Sequence, residues 1–191
     1  ETQLAIYRSY PGCLMSAGPD DITGCGNYNL LVWSSDGSRP VCNLWFLDSG
    51  TYGEKGVSKY ASVEQDQIDW YTSTAAALKE QYGEMLPAYL FQHIIVPEIY
   101  DLLTEVPASE KKAEGVVKGF SSHSGHYYKM GDGFTAGHLG EAPCPPDIPS
   151  GEFTAMCDTG EPGAAVFGHD HKTDFVGTHE GIDLVNTAGT G

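Results

Sequence analysis

Ala164-Ala165-Val166-Phe167-Gly168-His169-Asp170-His171 is the stretch on which the reading of this chain turns. Four apolar residues make a short strand, glycine lets the backbone bend at its end, and two imidazoles follow at i and i+2. Neutral imidazole is a good metal ligand, so His169 and His171 are candidate ligands on a strand-to-loop turn. The plain alternative is a pair of polar loop histidines that meet only water. Upstream, Leu86 to Val96 (LPAYLFQHIIV) reads as a second buried strand ending near His93. In open α/β sheets ligands collect outside the C-terminal ends of strands, so three histidines at two such ends form a site-like constellation. Taken alone, His93 reads better as a core histidine satisfied by a backbone carbonyl.

The rest of the chain supplies the layers around these turns. Asn27 to Trp33 (NYNLLVW) and Cys42 to Leu47 (CNLWFL) are aromatic- and β-branched-rich runs joined by Ser34-Ser35-Asp36-Gly37, which predicts a hairpin. The second run is apolar throughout, as expected of a strand covered on both faces. Val63 to Gly83 predicts a helix from Ile68, Trp70, Tyr71, Ala75, Leu78 and Tyr82, with Gly83 as its C-cap. Pro97 to Thr104 predicts a helical turn, Gly151 to Thr159 a short helix, and Phe175 to Gly177 and Ile182 to Asn186 two further strands. Residues 105 to 150, rich in Gly, Ser, Pro and Lys without a period, are read as one long loop. Strands alternating with helices and ending in a β ribbon make the class α/β.

Composition narrows the function classes. The 191 residues suffice for one domain, and 26 acidic against 10 basic residues give a net charge of −16. Such a surface repels phosphate backbones, so no nucleic-acid partner is expected. No apolar run approaches the roughly 20 residues needed to span a bilayer, so no transmembrane segment is expected. With 40% hydrophobic and 11% aromatic residues, disorder is excluded as the global state. Five cysteines at irregular spacing form no C-x-x-C, and their pairing stays open. The start at Glu1 and the stop at Thr190-Gly191 read as truncated ends. Acidity, that start and the cysteines lean towards a secreted or vacuolar setting, although no N-x-S/T site is present. No G-x-S-x-G elbow and no Walker-type phosphate loop occurs.

Taken in order, several blocks resemble the C-terminal half of a calcineurin-like metallophosphoesterase related to the purple acid phosphatases. They are Gly24-Cys25-Gly26-Asn27-Tyr28, Phe46-Leu47-Asp48-Ser49-Gly50-Thr51-Tyr52, Asp66-Gln67-Ile68-Asp69-Trp70 and Phe91-Gln92-His93-Ile94 with Pro97-Glu98. Gly140-Glu141 and then Ala165 to His171 with Asp174-Phe175 complete the series. The resemblance covers nearly the whole chain, with 105 to 137 its weakest part. It implies part of a four-layer α/β/β/α metallophosphoesterase sandwich, with residues 1–191 as the C-terminal half of one domain. It also implies a dinuclear site of divalent or trivalent ions (Fe, Mn or Zn) acting on phosphate esters, with His93 and His169 on one metal and His171 on the other. Asp170, Lys172 and Thr173 would shape the loop.

The upstream D-x-H, G-D-x-x-D and G-N-H-D/E blocks of that family are absent here. Gly26-Asn27-Tyr28 mimics the last of them without its histidine and carboxylate. Three histidines split between two metals cannot hold a dinuclear centre, so the missing N-terminal half is required, in cis or in trans. No catalytic residue is expected within this chain, and alone it is expected to be inactive. The alternative is a non-catalytic subunit of the same fold with a structural or interaction role. A plain three-histidine metal module is the weakest reading. His123 and His126 are expected to be solvated on a lid at most, and His179 exposed. A half sandwich would also expose the apolar strand faces at Leu44 to Leu47 and Leu86 to Ile95.

Overall fold

The computed structural model describes residues 2–189; Glu1 and the Thr190-Gly191 end lie outside the described residues. A short helix, α1 (Thr2–Arg8), precedes the hairpin of β1 (Tyr28–Trp33) and β2 (Pro40–Phe46), which pair antiparallel. Gly37 takes a φ of 69° in the turn, and the Asp36 carboxylate accepts from the Ser34 and Ser38 hydroxyls. α2 (Gln65–Tyr82) begins on a reciprocal box in which the Gln67 side chain accepts from the Glu64 amide. It ends at Gly83 in the left-handed conformation, where the amide reaches back to Lys79 O. β3 (Ala88–Phe91) then runs parallel to β2, and a 3-10 turn spans Pro97–Leu102.

The region from 105 to 150 corrects the reading of one long loop. It holds β4 (Leu103–Val106), β5 (Val117–Lys118) and β6 (Tyr127–Met130), which form a small three-stranded sheet in the order β4-β6-β5. β7 (Phe134–His138) leaves that sheet and becomes an edge of the main one. The small strands are only two to four residues long, and pairing across space rather than any local period makes them strands. α3 (Glu152–Thr159), β8 (Ala164–Phe167), β9 (Asp174–His179) and β10 (Ile182–Asn186) close the chain as expected.

The main sheet has seven strands in the order β1-β2-β3-β8-β10-β9-β7, with β2, β3, β8 and β10 parallel at its centre. One face is packed under α2 and α3. Its central row, Trp45, Leu90, Ala165 and Leu184, has no solvent exposure. Trp45 meets Trp70 and Tyr71 edge-on and donates its indole N–H to Glu161 at 2.8 Å. A leucine in that row contributes about 1.5–3 kcal/mol by burial.

The other face differs. Register places Tyr28, Phe46, Phe91, Val166, Val185 and Val176 in one continuous row across six strands. All six are only partly buried, and Tyr89 in the neighbouring row is 47% exposed. The β2 run is therefore covered on one face, not two: Asn43 and Trp45 point into the core while Leu44 and Phe46 face outward. The expected exposure holds for Leu44, Phe46, Tyr89 and Phe91, whereas Leu47, Ile94 and Ile95 are buried. The mixed α/β architecture agrees with part of a metallophosphoesterase fold. The five cysteines are free thiols, and among the described residues no helix is long and apolar enough to cross a membrane.

Candidate metal centre

β3 and β8 are parallel neighbours, and their pairing continues beyond the strand ends. Gln92 N donates to Val166 O at 3.1 Å and Gly168 N donates to His93 O at 3.2 Å. This backbone zip carries the next side chain of each strand to the same place. His93 Nε2 lies 3.1 Å from His169 Nδ1, with the rings nearly perpendicular. The bend after β3 is fixed twice over: Gln92 Nε2 donates to Ile94 O at 2.8 Å, and Ile94 N donates to Ser49 Oγ at 2.9 Å. On the other side of His169 the Tyr60 ring meets the imidazole edge-on at a centroid distance of 4.3 Å.

The loop after His169 is built by buried polar groups. Asn186, 2% exposed, donates to both Asp170 O and Thr173 O. Asp170 turns inward, where its Oδ1 accepts from Cys144 N at 3.0 Å, and burial pushes its carboxyl up to about 7. Lys172 N donates to Glu141, and Thr173 Oγ1 donates to Glu141 O. These residues shape the turn and leave His171 exposed beyond it, with its carbonyl accepting from Gly189 N.

Electrostatics keep the paired rings neutral. Burial lowers the pKa of His93, and the neighbouring His171 lowers it further. Burial likewise lowers His169, followed by His93 and His171, while Glu141 pulls the other way. A neutral imidazole has a free lone pair, which is what a metal needs. Two such nitrogens at hydrogen-bond separation suit one ion held between them. Among the described residues no group of three or more His, Cys, Asp and Glu converges on a point. The chain therefore fits part of a metal centre and not a complete one. His93 and His169 are brought together, and His171 stands outside the pair.

The remaining histidines are engaged elsewhere. His123 stacks on Tyr100 at 3.7 Å and touches Tyr128, His126 meets Glu105 at 2.7 Å, and His138 pairs with Asp174. His179 stacks on Phe153 and is half-buried rather than exposed. Asn27 is spent on structure: fully buried, it accepts from Asp48 N and Gln67 Nε2 and donates to Thr23 O. Tyr60 went unrecognised because it lies in a run without a period. Gln92 and Ser49 lie in Phe91-Gln92-His93-Ile94 and Asp48-Ser49-Gly50, but nothing in spacing marks a side chain that pins a backbone.

No family model matches the chain, and no solved structure matches it. Three curated proteins of Arabidopsis thaliana do. The "Probable inactive purple acid phosphatase 14" is 28% identical over all of this chain and 45% of its own length. The "Probable inactive purple acid phosphatase 29" is 27% identical over 95% of the chain and 44% of its own length, and number 28 is 27% identical over 84% and 35%. The chain thus spans less than half the length of the curated relatives it matches. Its homologues are purple acid phosphatase-like proteins that align with 84% to 100% of it and extend well beyond it.

Proposed function

We propose that this chain supplies one side of a metal-dependent phosphoesterase centre, with His93 and His169 on one ion and His171 facing a second. Phosphomonoesters would be hydrolysed only once another polypeptide segment, in cis or in trans, adds the remaining ligands. The observation that carries this reading is the 3.1 Å approach of His93 Nε2 and His169 Nδ1 at the ends of adjacent parallel strands. Paired iron, manganese or zinc ions would supply a clamp on the phosphoryl oxygens and a water of lowered pKa. The chain's own share is to hold two imidazoles neutral and oriented, through Gln92, Ser49 and the strand-end hydrogen bonds. The domain reading belongs with it. Residues 1–191 form the C-terminal half of a sandwich, and the open row from Tyr28 to Val176 supports a second sheet lying over it.

A second reading, a non-catalytic subunit of this fold, is favoured by two observations. The relatives are named inactive, and no three-ligand cluster forms among the described residues. Titrating Zn²⁺, Mn²⁺ and Fe³⁺ into the purified protein while following imidazole nitrogens by NMR separates the two, alongside hydrolysis of 4-nitrophenyl phosphate with and without chelator. Shifts confined to His93, His169 and His171 with chelator-sensitive turnover support the phosphoesterase. No shift and no turnover, in a sample whose intact mass covers the relatives' full length, overturn it in favour of the subunit.

A further inference from the structure

His93 takes its place from the residue before it. Gln92 Nε2 donates to Ile94 O at 2.8 Å across the bend, and the same amide nitrogen faces Glu152 Oε2 at 3.4 Å. Glu152 is the first residue of α3 and is 7% exposed. Gln92 Oε1 and Glu152 Oε1 are buried and, among the described residues, have no hydrogen-bond partner. Both side chains border a cavity of about 10 Å³, with Ser49, Ile94 and Ser150 also in its wall. Ser49 Oγ is the acceptor of Ile94 N, so the residues of both hydrogen bonds that fix the bend meet at this cavity. A space of that size accommodates one water, provided that at least two polar groups serve it.

We infer that Glu152 is a positioning residue for the histidine pair: it holds the Gln92 amide, directly and through one water in this cavity, and Gln92 holds the turn that sets His93 against His169. The inference rests on the reading of His93 and His169 as metal ligands. A primary amide brings two N–H groups and one carbonyl oxygen to be satisfied. Ile94 O and Glu152 Oε2 take the two N–H groups, and the water donates to Gln92 Oε1. The same water accepts the proton that Glu152 carries on Oε1. Burial keeps that proton in place, with the carboxyl pushed up to about 8. The ionisable groups beside it are Glu98 on the 3-10 turn and Tyr71 on α2, with His179 of β9 and Cys157 of α3 next to Glu98. The two buried oxygens are thereby satisfied, as burial demands. Without Glu152 the Gln92 side chain loses an anchor, and the bend no longer holds His93 at 3.1 Å from His169.

The test compares the protein with two variants. Glu152→Leu keeps the bulk and removes the hydrogen bonds, with Glu152→Met in its place should leucine unfold the chain. Glu152→Gln accepts through its carbonyl and donates through its N–H, as the protonated acid does. In metal-free protein the nuclear Overhauser contact between the His93 and His169 rings, whose centroids lie 4.9 Å apart, is expected to survive in Glu152→Gln and to vanish in Glu152→Leu. Zn²⁺ affinity, read at the same rings, is expected to fall about ten-fold in Glu152→Leu and to be kept in Glu152→Gln. Gln92→Leu is expected to lose as much, and the double variant no more than either, because both residues act on one bend. Ring contact and Zn²⁺ affinity unchanged in Glu152→Leu overturn the positioning role and leave the metal centre standing. Additive losses in the double variant overturn it as well, since Glu152 would then act by a route other than Gln92. If the unaltered protein takes up no Zn²⁺ the metal reading fails by itself, and the ring contact in metal-free protein decides the positioning role.

Discussion

Residues 45 and 46 are neighbours in one strand and live in different environments. Trp45 is fully buried beneath α2, edge-on to Trp70 and Tyr71 and hydrogen-bonded to Glu161. Phe46 lies on the opposite face between Tyr28 at 4.7 Å and Phe91 at 5.4 Å, with an aromatic ladder beside it and no layer above. Adjacent apolar side chains in a parallel strand ordinarily both find a covering layer. Here the helix-covered face looks like a finished core and the other like an interface. The sharpest break of that comparison is a pair of truncations read by urea unfolding. Trp45→Ala is expected to cost about 3–5 kcal/mol, because it opens a large cavity and strands the Glu161 carboxylate. Phe46→Ala is expected to cost about 1 kcal/mol in this chain and to reduce self-association. Equal losses would mean that the open face is already covered.

The covered face also hides an acid with no cation near it. Glu152 is buried, its Oε1 has no partner, and the weak contact from Gln92 Nε2 at 3.4 Å is its one side-chain donor. Burial raises its pKa from 4.5 to about 8, and the neighbouring Glu98 adds to the rise. Across that window the folded protein keeps a proton that the unfolded chain has lost, so stability falls as pH rises and is greatest below about 4.5. The fall expected from this one group is on the order of 4 kcal/mol between pH 4.5 and 8, seen as a declining Tm. Glu152→Gln, which cannot ionise, should remove the share of that slope carried by Glu152 and leave the share carried by Asp170, whose carboxyl is pushed up to about 7. A slope unchanged in the variant would place the titration elsewhere, with Asp170 the next group to replace.

Asn27 sharpens the contrast between residues that build and residues that bind. Its amide ties the start of β1 to Asp48, Gln67 and Thr23 from a fully buried position. Asn27→Ala leaves the Asp48 amide without its acceptor and should cost about 2 kcal/mol. Metal titration of the histidines should be unchanged in this variant. A change in metal affinity would show that the Asn27 hub also positions the centre.

Legibility followed the same division. α2 was readable because its apolar residues keep a helical step and Gly83 marks its end; the first hairpin was readable because Asp36-Gly37 specifies a tight turn. β7 was not: Phe-Thr-Ala-Gly-His has no alternation, its register slips, and Gly137 sits at a φ of 101°. It is a strand because β9 is there to pair with, and a Cβ at Gly137 would lie 2.0 Å from Asp174 O. At the site, His93 and His169 were legible because each ends a recognisable apolar strand. Tyr60 and Glu152 act through where the fold places them, Tyr60 109 positions from His169 and Glu152 60 positions from Gln92, and no local pattern encodes such a meeting.

The smallest stability effect should fall on a residue of the proposed metal centre. His93 is exposed, and among the described residues its side chain's one hydrogen-bond partner is His169, a contact between two rings that are each better ligands than donors. His93→Ala should therefore change unfolding free energy by less than about 0.5 kcal/mol, the range of an ordinary surface replacement. The same change should remove the metal-induced shifts at His169, since a lone imidazole is a weak site. The sign of any stability change is informative. With His93 gone, His169 loses a neighbour that opposes its protonation, so its pKa should rise towards the ordinary value. A substantial loss of stability would instead make the histidine pair part of the fold's own scaffold, and the strand ends would then be read as a structural clasp rather than half of a metal centre.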